Sequence, residues 1–195
     1  MGLSSIRCQE QGNARLQLVR NVLTCVLLGL MLATTARAQN GNGEIQGIVK
    51  DTSEAAVVGA AVKMPEENYS FKPTPDVRSF GQLVGHVADA SYMFCSQAIG
   101  ETVAPKNIEK TKTTKADLVA AIKDATAYCT KSFDSMTDAK GSQMIKMFNF
   151  DLARLTVYSI NTAHTDEHYG NMVTYMRLKG IVPPTSENAP APPAK

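Results

Sequence analysis

The chain has 195 residues, 44 % of them hydrophobic, and its 20 Lys and Arg against 18 Asp and Glu give a formal charge of +2. That length sets one domain as the starting expectation, and the apolar content is sufficient for a buried core. The charges form no basic stripe and no arginine cluster, which excludes nucleic acid as an expected partner.

The N-terminus reads as a targeting segment. Arg7, Arg15 and Arg20 precede the apolar stretch "NVLTCVLLGLMLATTA", and Ala36-Arg37-Ala38 has the small-x-small pattern of a signal-peptidase site. The apolar run of about 15 residues falls short of the roughly 20 needed to span a bilayer. Residues 1–38 are therefore expected to be a signal peptide, with cleavage before Gln39, export to a periplasmic or extracellular compartment, and no stable membrane span afterwards. Residues 39–195 carry 16 Lys and Arg against 17 Asp and Glu, close to neutral. Cys8 and Cys25 leave with the leader, and no lipobox surrounds Cys25. Cys95 and Cys129 remain, as a disulfide or as two buried thiols.

Residues 39–43, "QNGNG", form a polar linker. From Glu44 to Lys50 apolar residues alternate, which is a strand period. Gly43, Ile45, Gly47, Val49 and Asp51, then Val57, Gly59, Ala60 and Val62, resemble the opening of the carboxypeptidase regulatory-like β-sandwich domain. The match covers two strands, too few to bury a sandwich core. The rival reading is a short Ala-rich helix from Ser53 to Met64 with Ser53 as its cap. Gly43 and Gly47 each cost about 1 kcal/mol in a helix, so none is expected to run back through Gly47.

Residues 64–79, with Pro65, Pro73 and Pro75, read as an ordered loop. A helix follows from Ser79 to Ile99, with apolar residues at helical spacing and Ser79 as N-cap. Pro105 and nearby lysines mark a long connection. Thr114 opens the next helix, with Asp117 three residues on, and that helix fades near Phe133. "DSMTDAKGSQ" is a turn region. The last long helix is expected from about Phe150 to Lys179, ended by Gly180 and Pro183-Pro184. The Pro-rich tail, 185–195, reads as disordered. The architecture is thus all-α, three long helices with an atypical short first one. Weak packing of that short helix would leave an apolar groove along the helices carrying His86 and His168, which a homodimer could cover.

Two of the three histidines, His164 and His168, lie four apart in the last helix. That spacing puts both on one face, about 5–6 Å apart. His86, between Val84 and Val87, is the third, on a strip that should face the interior. Three imidazoles and one open position make the pattern of a catalytic metal site, and nitrogen ligands favour zinc or nickel over magnesium. His164-Thr165-Asp166-Glu167-His168 also spells the inverted zinc-peptidase motif, with Glu167 as general base. That motif needs a later acidic ligand, and only Glu187 follows. Glu167 stays a candidate base or hydrogen-bond partner of a ligand imidazole; a solvated carboxylate is the plain alternative.

From about Met64 to Pro184 the chain resembles the DinB-like (damage-inducible) family of four-helix bundles with a three-histidine metal site. The matching pieces are "RSFGQLVGHVADA", "AHTDEHYGN" and "YMRLKGIVPP". The resemblance implies a DinB-like four-helix bundle with a shortened first helix, and His86, His164 and His168 as metal ligands. Asn171 stands after Gly170 where many members have Gln. It also implies chemistry in which the metal activates water or a thiol against a small molecule. Export away from the cytosolic thiol pool favours a water-activating hydrolase. A thiol-dependent transferase and a metal-binding bundle without turnover are the alternatives.

Overall fold

The computed structural model describes residues 53–187. The expected signal peptide, the linker, the strand-like stretch 44–50 and most of the tail lie outside the described residues. Four helices form the bundle: α1 (Glu54–Lys63), α2 (Phe80–Ile99), α4 (Lys115–Asp134) and α6 (Arg154–Leu178). Two single turns, α3 (Ile108–Thr111) and α5 (Asp138–Gly141), two 3-10 turns (Glu66–Asn68 and Pro184–Ser186) and one hairpin, β1 (Met144–Met147) with β2 (Phe150–Ala153), complete the regular structure among the described residues. Among the described residues no helix is long and apolar enough to cross a membrane.

The helical reading of residues 53–64 holds, so Val57, Gly59, Ala60 and Val62 lie on a helix and not on a strand. Ser53 does not cap it, since its side chain makes no capping hydrogen bond. The helix is short yet tightly packed. Val57, Ala60, Ala61 and Met64 are fully buried, and Gly59 lies against Pro184, where a Cβ would come within 3.2 Å of the proline ring. Small side chains let the backbone approach its neighbours closely, which compensates for having only ten residues. The face expected to be exposed is thus occupied by α1. The Tyr69 hydroxyl donates to the Ala61 carbonyl and its ring meets Phe80 edge-on, tying the loop after α1 to the start of α2.

Helix α2 begins with a full capping box between Ser79 and Gln82. It ends at Gly100, whose φ of 81° allows bonds from Gly100 N to Gln97 O and from Glu101 N to Ser96 O. Gly180, at φ 72°, ends α6 by the same motif. Thr114 caps α4 through the Asp117 amide. Helices α2 and α4 run parallel. Gly81 faces Leu118, the Ser91 carbonyl lies 3.2 Å from the Cys129 sulfur, and Ser132 donates to the Cys95 carbonyl. Both numbers rise together, and this register brings Cys95 and Cys129 to a Cα separation of 5.3 Å in a disulfide. Of the two states open for these cysteines, the bonded one is observed.

Helix α6 runs antiparallel to α2, with Arg154 at Ala98 and Tyr175 at Arg78. It starts four residues later than its spacing suggests. Phe150–Ala153 is a strand that pairs antiparallel with Met144–Met147, Met147 opposite Phe150. The two-residue turn is Phe148-Asn149, at φ 49° and 68°. Two core clusters result: one joins α1, α2, α4 and the end of α6, and the other surrounds the disulfide with Phe94, Val157 and Tyr158. Full burial of a side chain such as Met172 or Val157 contributes about 1.5–3 kcal/mol. His164 and His168 fall between the two clusters along α6, and His86 lies within the α2 stretch of the first.

Candidate metal centre

His86 comes from the middle of α2, His164 and His168 from successive turns of α6. Antiparallel packing of the two helices brings them together. The His164 Nε2 lies 3.2 Å from that of His86 and 3.1 Å from that of His168. One ligating atom of each residue falls within 4.8 Å of the others. Tetrahedral ligands at about 2.0–2.1 Å from an ion are roughly 3.3 Å apart, so this nitrogen set has the span of one mononuclear site.

Protonation fits as well. The His86 Nδ1 is 3.0 Å from the Glu109 carboxylate, so that nitrogen carries the proton and donates it, leaving Nε2 as a bare lone pair. Burial first, then the neighbouring imidazoles, push His164 down to about 4. Burial first, with Arg78 also contributing, lowers His168, against the opposing charges of Glu167 and Glu109. His164 and His168 are therefore neutral at pH 7. The His164 Nδ1 is buried with no hydrogen-bond partner, and the Asn171 amide nitrogen lies 3.5 Å from the His168 Nδ1. In the neutral form each Nε2 can present a lone pair to a cation placed between the three rings. The residues present fit a divalent ion.

Glu109 is the member of the site that sequence reasoning missed. It sits on α3, inside a lysine-rich connection 23 residues from His86. Three features hold it there. Both amides at the start of α3, Ile108 N and Glu109 N, donate to the Asp89 carboxylate at 3.0 Å. Arg78 Nε donates to its Oε1 at 2.8 Å. Gly85 leaves room, since a Cβ there would come within 2.7 Å of the Glu109 Cα. Burial opposes ionisation of Glu109, but the hydrogen bonds from Arg78 and His86 hold its carboxyl below the usual range. The only sequence signal was Gly85-His86 followed by Asp89, and nothing in it names the partner. Glu167, by contrast, is exposed and acts on His168 through its charge. Glu109, and not Glu167, is hydrogen-bonded to a site imidazole.

One side of the centre is open. His86 and His164 line a cleft of about 890 Å³ between α2, the 100–107 connection, the hairpin and the start of α6. Phe94 forms part of its wall, edge-on to His164 at 5.6 Å.

A helical bundle with three imidazoles converging from two antiparallel helices could hold a divalent metal ion. The chain belongs to the DinB superfamily, whose family description matches residues 51–172. Its fold is similar to that of a DinB-like protein from Bacillus subtilis (22 % identity, 66 % of this chain and 86 % of that one, TM-score 0.56). It is also similar to a DinB-like protein from Bacillus cereus (13 % identity, 68 % and 89 %, TM-score 0.60). No curated protein matches the chain. The DinB-like bundle expected from the sequence is thereby borne out.

Proposed function

We propose that the protein is an exported hydrolase that uses a divalent metal, zinc or nickel rather than magnesium, to activate water against a small molecule. One observation carries this reading: the Nε2 atoms of three imidazoles converge at the spacing of a single ion, with one side open to a cleft. An all-imidazole set suits zinc or nickel, whereas magnesium takes carboxylate and water oxygens. When bound, the metal would lower the pKa of a coordinated water toward neutrality.

The chain's own residues prepare that chemistry. Glu109 keeps the proton of His86 on Nδ1 and makes its Nε2 more basic. Asp89 and Arg78 fix Glu109 in turn. Phe94 packs edge-on against His164 at the cleft wall and supports its ring there. Export supports hydrolysis over thiol transfer, because low-molecular-weight thiols are cytosolic reagents.

The test uses residues 39–195 purified without a metal-affinity tag. Elemental analysis is expected to find about one zinc or nickel ion per chain, and His164→Ala is expected to lose it. The loaded protein is then offered esters, amides and phosphoesters, with and without added thiols. Turnover without thiol supports the hydrolase. Turnover that needs a thiol overturns it in favour of a transferase, and a loaded protein inert in every assay overturns it in favour of a metal-binding bundle.

A further inference from the structure

We propose that the cleft beside the metal centre binds an elongated organic anion, its apolar body against Phe94 and Phe148 and its acidic end on the Arg154 guanidinium. The group to be transformed would then lie at the histidines. This rests on the hydrolase reading above and names the substrate class of that site.

Arg154 carries the first half of the argument. It lines the cleft at the opposite end from His164. Ten residues of α6 separate the two, about 15 Å at the helical rise of 1.5 Å per residue. Its guanidinium is half-buried, and among the described residues no carboxylate forms an ion pair with it. Its Nη1 donates to the carbonyls of Ala98 and Gln97 at the end of α2, and its Nε is buried without a partner. Capping α2 occupies Nη1 and sets the charge at the negative end of that helix, but among the described residues no carboxylate pairs with it and no hydrogen bond reaches Nη2. That charge also sits in the first turn of α6, where the helix dipole disfavours a cation and favours an anion. Asp89 and Glu101, the two carboxylates lining the cleft, are already engaged by the α3 amides and by the Tyr128 hydroxyl. A half-buried guanidinium without a carboxylate partner, its Nη2 still unused beside a cleft, is an anion site that forms a charge-assisted hydrogen bond.

Phe148 carries the second half. It occupies the first position of a two-residue hairpin turn at φ 49°, with Asn149 next at 68°. Both central residues of such a turn need the left-handed region, which glycine and asparagine accept and a bulky aromatic resists. Strain of this kind persists where the side chain has a use. The Phe148 ring projects over the cleft, 59 % exposed, and meets Phe94 edge-on at 6.2 Å. Phe94 in turn meets His164. An aromatic wall therefore runs from the hairpin to the histidines, exposed where a ligand's apolar body would cover it.

Calorimetric titration of metal-loaded residues 39–195 with decanoate and with its neutral amide, decanamide, tests the proposal. Decanoate is expected to bind about tenfold or more tighter than the amide, the gain of a charge-assisted hydrogen bond. Arg154→Gln should abolish that difference at unchanged metal content, and Arg154→Lys should restore part of it. Phe148→Gly should weaken both probes alike while raising the thermal midpoint, because glycine relieves the turn. Equal affinity for acid and amide, no binding of either, or decanoate binding lost in His164→Ala but intact in Arg154→Gln overturns the proposal. The last pattern places the carboxylate on the metal. A chain without metal refutes the hydrolase reading, whereas the acid-to-amide comparison still decides the anion site.

Discussion

Glu109 and Glu167 separate a carboxylate that orients a ligand from one that only stands near it. Glu109 accepts the His86 Nδ1 proton at 3.0 Å and is itself fixed by Arg78 and the Asp89 anchor. Removing an outer partner of this kind typically costs about 10–100-fold in metal affinity. Glu109→Gln is therefore expected to weaken zinc binding by that factor in competition with a chromophoric chelator. Glu167, exposed and without a hydrogen bond to an imidazole, should change it by less than about threefold as Glu167→Gln, the scale of an exposed charge. Comparable losses in both variants would return Glu167 to the site.

Helix α1 shows how a short element holds its place and what it costs. Its first residue, Glu54, is buried beside the disulfide and Asn161, and burial raises its pKa to about 7. The carboxyl is neutral in the folded chain below that pH and ionises near 4.5 when unfolded. Its contribution to stability is thus fully present below about pH 4.5 and is lost as pH rises through 7, by about 3 kcal/mol at 1.36 kcal/mol per unit. Urea midpoints should fall between pH 5 and pH 8 in the natural chain, and Glu54→Gln should flatten that fall and be the more stable protein at pH 8. An unchanged slope in the variant would assign the loss to another group. The helix's tight seat was not legible beforehand. Twelve residues with Gly59 near their middle look too short for a firm helix, and only Met172, Met176 and Val84 around them show why Val57 and Ala60 are fully buried. The hairpin was illegible for a different reason. Apolar residues in "MIKMFNFDLA" fit a helix as well as a strand, and the turn at Phe148-Asn149 lacks the glycine that marks most such turns.

Across the whole molecule, the parallel pairing of α2 and α4 sets the disulfide, and the antiparallel pairing of α2 and α6 sets the site. A bridge over 34 residues restricts the unfolded chain and is worth about 3–4 kcal/mol in the loop-entropy account. Reductant should lower the unfolding free energy by that amount, as should Cys95→Ser paired with Cys129→Ser. Thiol titration of the denatured, unreduced protein should find neither cysteine free; two free thiols would refute the bridge. The same disulfide sits at the base of the α2 segment that carries Phe94, one wall of the cleft.

The boundaries of α2 and α4, their caps and the candidate ligands His86, His164 and His168 were set by local chemistry that a sequence displays: apolar period, Ser and Thr at helix starts, glycine at helix ends, and histidines spaced one turn apart. Tertiary structure alone decided which cysteine state holds, that Glu109 reaches across from a distant loop to orient His86, and that Arg154 and Phe148 share a cleft with the histidines. The division has a physical reason. Spacing along a helix is short-range and repeats every 3.6 residues, so it is written in neighbouring letters. Contacts between elements depend on the direction and register in which helices pack, and these follow from the burial of the whole core.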